Sequence, residues 1–340
     1  MPKETSGPTL MKDRISPDVI AHLADLLAAA SKSFRRDEFL ADAVEGLESM
    51  EMKARVLHVA DALSRSLPAD FPEAAEVIDE ALGSPGLNSW MAYPVDDFVA
   101  RYGIDFPDVA LPLMGKLTKR WSCEFAIRPF IREHPKETFA QFDNWIESDD
   151  EDLRRLVSEG SRPRLPWGGF IPEFVEDPAP TIALLDRLVD DPSLYVRKSV
   201  ANHLNDLSRD EPLIVVDTAQ RWLANPDENT PRLVRHALRT LIKKGHPGAM
   251  ELLGFGPVSL AVDGPALDRH EVPFGEAVTF TASIRNIGDD AARLSVDYIV
   301  HHVKANGSLT GKTFKLTTRA LEPGEVMTVE RTHSFRAITT

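Results

Sequence analysis

From Ser16 to Leu253 the apolar residues recur at helical spacing, and no segment alternates convincingly as a half-buried strand would. Ser16-Pro17 reads as a helix start, a capping serine with proline in the first helical position, and Ile20, Leu23, Leu26 and Leu27 follow with amphipathic period. The same pattern predicts helices over 36–48, 52–66, 71–82, 94–102, 106–119, 122–133, 136–147, 151–161, 179–189, 193–208, 211–224, 230–245 and 247–253. The helix over 193–208 is the most informative. Val196, Val200, Leu204 and Leu207 share a stripe that requires burial, while Lys198, Asn202 and Asp206 form a polar ridge on another stripe.

The later helices repeat. Placing Arg154 on Arg197 aligns Leu156-Val157-Ser158-Glu159 with Ser199-Val200-Ala201-Asn202, a spacing of 43. Placing Arg197 on Arg235 gives 38 and brings Glu159, Asn202 and Thr240 to equivalent positions. Periods near 40 belong to HEAT and armadillo-like arrays, whose concave faces commonly hold ligands. After Gly254-Phe255-Gly256-Pro257 the pattern shortens. Ser259–Val262, Val278–Ile284, Leu294–Val300 and Met327–Glu330 are β-branched and partly alternating, with turn residues such as Asn286-Ile287-Gly288 and Asn306-Gly307 between them. The expected fold is mostly α, a HEAT-like repeat α-solenoid over 1–256. A small C-terminal immunoglobulin-like β-sandwich follows over 257–340. The run ending in Ala337-Ile338-Thr339-Thr340 suggests that a last strand is missing.

Composition changes this picture little. The chain has 340 residues, 43% of them hydrophobic, and one cysteine, Cys123. That excludes an intramolecular disulfide framework and suits a reducing compartment. Met1 to Leu10 is polar, without the apolar core of a signal peptide, and no apolar run approaches a bilayer span. A soluble cytoplasmic protein without a membrane partner is expected. The net charge of −14 is uneven: residues 1–104 carry 10 basic and 18 acidic side chains, whereas Thr230–Gly245 holds Arg232, Arg235, Arg239, Lys243 and Lys244 without an acid. Local patches decide phosphate contact, so the overall sum does not exclude nucleic acid.

Several chemistries drop out. There is no His-Glu-x-x-His, no cysteine cluster for zinc and no phosphate loop or dinucleotide fingerprint. His301-His302 lies in a predicted strand, where the two side chains point to opposite faces. His203 reads as a satisfied, partly buried histidine. Neither a metal nor a cofactor is expected.

Three segments carry a resemblance: Trp121-Ser122-Cys123-Glu124-Phe125-Ala126-Ile127-Arg128-Pro129-Phe130, Ser158-Glu159-Gly160-Ser161-Arg162-Pro163-Arg164-Leu165-Pro166-Trp167, and Val196–Asp206. With helical repeats and an appended sandwich, the chain is similar to the AlkC-like family of bacterial DNA alkylation-repair glycosylases. A generic repeat protein has no reason to break a helix with two prolines and two arginines before a tryptophan. The resemblance implies excision of cationic N3-alkylated bases, 3-methyladenine and 3-methylcytosine, from double-stranded DNA by N-glycosidic hydrolysis. A monofunctional, monomeric base-excision-repair enzyme is expected.

Such bases already leave well, so the enzyme has to stabilise an oxocarbenium-like sugar and place a water, tasks suited to carboxylates. Glu159 and Asp206 take those roles, Glu124 adds a third charge, and Trp167 gives an aromatic contact to the cation. Arg155, Arg162, Arg164 and Lys198 are expected to grip phosphates, with Arg232, Arg235 and Arg239 extending the track. Lys312 and Lys315 of the sandwich are further candidates. Plainer readings stand beside these. Glu124 suits a capping role after Ser122, Glu159 a surface pair with Arg155, and Trp167 a loop plug. The helix over 230–245 suits a solvated face, and Arg197 bridges repeats. The rival reading is a non-enzymatic HEAT-like scaffold binding protein or nucleic acid. A glycosylase for 7-alkylguanine or bulky adducts is a related alternative.

Overall fold

The computed structural model describes residues 10–335. The reading of the first residues as lacking a signal peptide and the suggested missing strand at Ala337–Thr340 fall outside them. The chain divides into two compact units, one running to Ala237 and the other beginning at Leu238. The expected boundary at 256/257 lies closer to the first strand.

The first unit is helical. Its helices are α1 (Pro17–Ala30), α2 (Arg36–Val44), α3 (Met52–Ser66), α4 (Phe71–Leu82), α5 (Ala92–Tyr102), α6 (Pro107–Leu117), α7 (Ile127–Glu133), α8 (Pro135–Ile146), α9 (Glu151–Gly160), α10 (Glu173–Glu176), α11 (Ala179–Asp186), α12 (Leu194–Leu207), α13 (Pro212–Ala224) and α14 (Thr230–Ala237). Local chemistry sets their starts. Ser16 accepts a bond from the Val19 amide ahead of Pro17, and Ser193 does the same for Tyr195 at the head of α12. Helices alternate between two rows, as in HEAT-like arrays. Along one row α3 packs on α5, α5 on α7, α9 on α12 and α12 on α14; along the other α4 packs on α6 and α6 on α8.

The stripe expected on α12 is buried: Val196, Val200, Leu204 and Leu207 are each fully enclosed. Each such side chain contributes about 1.5–3 kcal/mol. The repeat also shows in its polar joints. Arg154 grips Asp191 through two bonds of 2.6 and 3.1 Å, and Arg197, its repeat equivalent, reaches the Asn229 amide oxygen at 3.2 Å. Arg197 is therefore the bridging residue it was expected to be.

Two predicted helices differ, and one helix is new. The segment 122–126 is turn rather than helix, because α7 begins only at Ile127. The predicted helix 230–245 is interrupted at Leu238, so Arg239 and Lys243 sit on a separate helix, α15 (Arg239–Lys243), in the second unit. Arg232, Arg235, Arg239 and Lys243 therefore do not share one helical face. The short α10 was not anticipated at all.

The second unit continues with α16 (Pro247–Leu252) and five strands: β1 (Leu260–Leu267), β2 (Ala277–Asn286), β3 (Ala292–Val303), β4 (Leu309–Leu321) and β5 (Val326–Ser334). They form an antiparallel sheet ordered β1-β2-β5 and a β3-β4 hairpin. Ile284, Met327 and Val329 of the first sheet pack with Ala292, Leu294 and Leu321 of the second, giving the sandwich its core. Strand β4 was missed because Lys312, Thr313, Lys315, Thr317 and Thr318 dilute its apolar signal. Among the described residues no helix is long and apolar enough to cross a membrane.

Candidate active site

A cleft of about 1170 Å3 opens on the face of the first unit formed by α5, α7 and α9. Glu124, Glu159, Arg162 and Trp167 all line it. The repeat brings distant segments together: α9 supplies Glu159 and the turn before α7 supplies Glu124 to the cleft lining, while Asp206, in the last turn of α12, joins them through Arg162.

The carboxylates are joined by two arginines. Arg155 meets Glu124 Oε2 at 2.5 Å and Glu159 Oε1 at 3.5 Å. Arg162 donates from Nη1 to Glu159 Oε1 at 2.6 Å, and its Nε and Nη2 bind both oxygens of Asp206 at 2.8 and 3.0 Å. The result is a continuous chain Glu124–Arg155–Glu159–Arg162–Asp206. Burial opposes charge on Glu159, but Arg155 and Arg162 outweigh it, and a bond from Ser199 adds to their effect. Its pKa therefore lies below the usual glutamate value. Ser122 donates to Glu124 Oε2 at 3.0 Å, and Arg155 reaches the same serine. The contacts from Ser122 and Arg155 to Glu124 both use Oε2.

Arg155 and Arg162 thus face carboxylates, not solvent. Arg155 also lies over the Tyr195 ring at 4.9 Å, and Arg162 is only 6% exposed. Their expected role as phosphate grips does not fit this burial; they act as struts for the acids. Arg164 is half-buried, binds both oxygens of Asp210 at 3.0 and 3.1 Å and sits 4.4 Å from the Phe170 ring centre. It lies outside the carboxylate chain. The plainer readings of two acids also change. Glu159 pairs with Arg155 in a buried network rather than at the surface, and Glu124 precedes α7 without capping it.

Trp167 is 83% exposed and has a left-handed backbone, φ 64°. That conformation costs a non-glycine residue roughly 1–2 kcal/mol. Arg128 holds the loop in place. Its guanidinium binds the carbonyls of Gly160 at 2.8 Å and Arg162 at 2.7 Å and also that of Gly169, while Arg132 binds the Phe170 carbonyl. Burial first, then repulsion from Arg132 and Arg162, lowers the Arg128 pKa to about 10, so it stays charged at neutral pH. Arg128 and Arg132 had no assigned role in the sequence reading. The available signal was the i,i+4 pair of arginines itself, although Glu124, four residues before Arg128 in the predicted helix, offered that arginine a local partner. Gly160 is required next to Glu159, because a Cβ there would stand 2.5 Å from Ile127.

Lys198 is exposed on α12, and Arg232 and Arg235 are exposed on α14. His203 is fully buried, with Nδ1 2.9 Å from the Ser158 carbonyl, and burial lowers its pKa to about 4. In the sandwich, Lys315 contacts Ser295 and lies 3.7 Å from Asp297, while Lys312 lies 5.4 Å from the Phe314 ring centre.

Fold and site together define a HEAT-like helical protein with a carboxylate–arginine cleft and an immunoglobulin-like module. Residues 261–340 match the family model described as "Uncharacterised protein YhaZ, C-terminal Ig-like domain". The Bacillus subtilis (strain 168) protein YhaZ is 33% identical over 333 residues, covering 97% of this chain and 92% of its own. A solved structure of Pseudomonas fluorescens alkylpurine DNA glycosylase AlkC, bound to DNA containing an abasic site analog, superposes with a TM-score of 0.88. It is 33% identical and covers 98% of this chain and 92% of its own. The chain belongs to the AlkC-like family.

Proposed function

We propose that the protein is a monofunctional DNA glycosylase of base excision repair. It hydrolyses the N-glycosidic bond of cationic N3-alkylated bases, 3-methyladenine and 3-methylcytosine, in double-stranded DNA. The observation that carries this reading is the arginine-braced row of Glu124, Glu159 and Asp206, the first two of which line an open cleft. The likeness to an AlkC glycosylase bound to abasic DNA supports it.

The chemistry follows from the charges. An N3-alkylated base leaves as a neutral heterocycle, so its departure needs no protonation, and positive charge builds on the deoxyribose. Fixed carboxylates in a partly dry site stabilise that charge without reorganising. The depressed pKa of Glu159 makes it a weak base. It can orient a water by hydrogen bonding, which is sufficient against an electrophile as reactive as an oxocarbenium ion. Asp206, fixed by two bonds from one guanidinium, shares in stabilising the sugar, and Glu124 adds a further negative edge. Trp167 offers its ring to the cationic base or its flanking stack. Lys198, Arg232 and Arg235 are the phosphate contacts this reading favours, with Arg239 of α15 as a further one. The reaction needs neither metal nor cofactor, and a cytoplasmic monomer is sufficient for it.

The deciding experiment incubates alkylated duplex DNA with the pure protein and measures free methylated bases. Catalytic release of 3-methyladenine is expected. A non-enzymatic scaffold would release none at any protein concentration.

A further inference from the structure

Helix α9 ends at Gly160, one residue past Glu159, and a helix end leaves its last carbonyls without partners inside the helix. Two buried side chains from neighbouring helices meet them. His203 of α12 binds the Ser158 carbonyl at 2.9 Å, and Arg128 of α7 binds those of Gly160 and Arg162 at 2.8 and 2.7 Å from one nitrogen, Nη1. Nη2 of the same guanidinium reaches the Gly169 carbonyl. These three contacts bracket the residues of the site: Gly160 follows Glu159, Arg162 holds both acids, and Gly169 lies two residues after Trp167. Arg128 is 5% exposed, so its charge is taken from water and given to the carbonyls of one segment. Desolvating a guanidinium is costly, and closing a loop alone does not require it. What the guanidinium adds is direction. Its planar fork donates along fixed lines to several acceptors, which neither an ammonium nor an apolar side chain can do. Between Arg162 and Gly169 the chain holds Pro163, Pro166 and Gly168 together with the left-handed Trp167, a backbone that needs such outside constraint.

Resting on the glycosylase reading above, we propose that Arg128 is a positioning residue for excision, one guanidinium that keeps the Arg162 fork and the Trp167 ring in register. It acts through the peptides it holds. The Arg162 main chain carries the fork that sets Glu159 and Asp206, and a displacement of about 1 Å in such a constellation costs up to about a hundred-fold in rate. Arg132, one turn further along α7, holds the Phe170 carbonyl and closes the loop beyond Trp167, whereas Arg128 spans both ends. Excision itself remains with Glu159 and Asp206.

The test compares Arg128→Lys, which keeps the charge and loses the planar fork, with the wild-type protein. Loop order is read from amide exchange at Gly168 and Ile171, whose N–H groups donate to the Leu165 and Pro163 carbonyls at 3.1 Å each. Both amides should be protected in the wild-type protein and exchange at least about ten-fold faster in the variant. Single-turnover release of 3-methyladenine at saturating protein, at a temperature where both proteins are folded, should fall about ten- to a hundred-fold. Affinity for an abasic duplex should stay within about three-fold. Free exchange at both amides in the wild-type protein overturns the proposal without any variant. An unchanged release rate in a folded Arg128→Lys with a lowered urea midpoint also overturns it, since the role is then purely structural. Affinity falling in step with the rate does the same. Absence of base release from the wild-type protein, with both amides protected, removes the glycosylase assignment. Release at equal rates from both proteins removes the positioning role alone.

Discussion

Arg162 and Asp206, 44 residues apart in sequence, meet through two parallel bonds of 2.8 and 3.0 Å. The same guanidinium holds Glu159 at 2.6 Å, so one planar fork fixes two acids at a set separation. If those acids perform the chemistry, removing their charge without their shape should stop excision. Glu159→Gln and Asp206→Asn should each lower single-turnover release of 3-methyladenine by about a hundred-fold or more. Affinity for an abasic duplex should change by less than about three-fold. Unchanged excision in both would refute their roles.

Breaking the fork tests the struts. Arg162→Met leaves Glu159 and Asp206 buried near one another without their shared cation, which typically costs about 3–5 kcal/mol. A lower midpoint in urea unfolding should show it, together with loss of base release. Arg164→Ala cuts a half-exposed pair with Asp210 and should cost only about 0.2–1 kcal/mol. Comparable losses in the two variants would mean that burial does not matter here.

His203 sets a pH window. Its pKa falls from the ordinary 6.5 to about 4 because burial disfavours the imidazolium. Between those values the unfolded chain binds a proton that the folded chain does not. The His203 contribution is therefore complete above pH 6.5 and shrinks as pH falls toward 4. The full effect is about 3 kcal/mol. Tm measured across this window should fall less steeply in His203→Gln than in the wild-type protein; parallel curves would contradict the assignment.

The helical body was legible because periodic burial writes itself into sequence, as on α12. The repeat register likewise set Arg154 and Arg197 at equivalent positions, and both make joints, to Asp191 and Asn229, though neither partner was legible. The carboxylate set could be named, and so could the pairing of Arg155 with Glu159, but not its burial or the partners of Arg162. A sequence lists charges without saying which will be desolvated together, and only packing turned those arginines from solvent toward Glu124, Glu159 and Asp206. Strand β4 and the break at Leu238 escaped for a related reason. A mostly exposed strand carries little apolar alternation, and a helix interrupted without proline or glycine leaves no local mark.

Trp167 separates function from stability. With 83% of its surface exposed and its left-handed backbone held by Arg128, its ring supports little of the core. Trp167→Ala should keep the wild-type Tm within about 1–2 °C. It should reduce excision of 3-methyladenine by about ten-fold, through loss of the aromatic contact to a cation. A large drop in Tm with normal excision would make Trp167 a loop plug instead.

With Arg155 and Arg162 paired to carboxylates, the proposed phosphate contacts are sought on other cations. Arg232 and Arg235 are exposed on α14, and among the described residues neither has a salt-bridge partner. Reversing both, as Arg232→Glu with Arg235→Glu, breaks no internal pair and should leave Tm nearly unchanged. If each side chain neutralises one phosphate, the variant should bind duplex DNA more weakly. The slope of log affinity against log salt should then flatten by roughly two. Single-turnover excision at saturating protein should persist, because the carboxylate row is untouched. A salt slope equal to wild type would place the duplex on another face of the helical unit, and excision lost even at saturation would tie α14 to the chemistry rather than to binding.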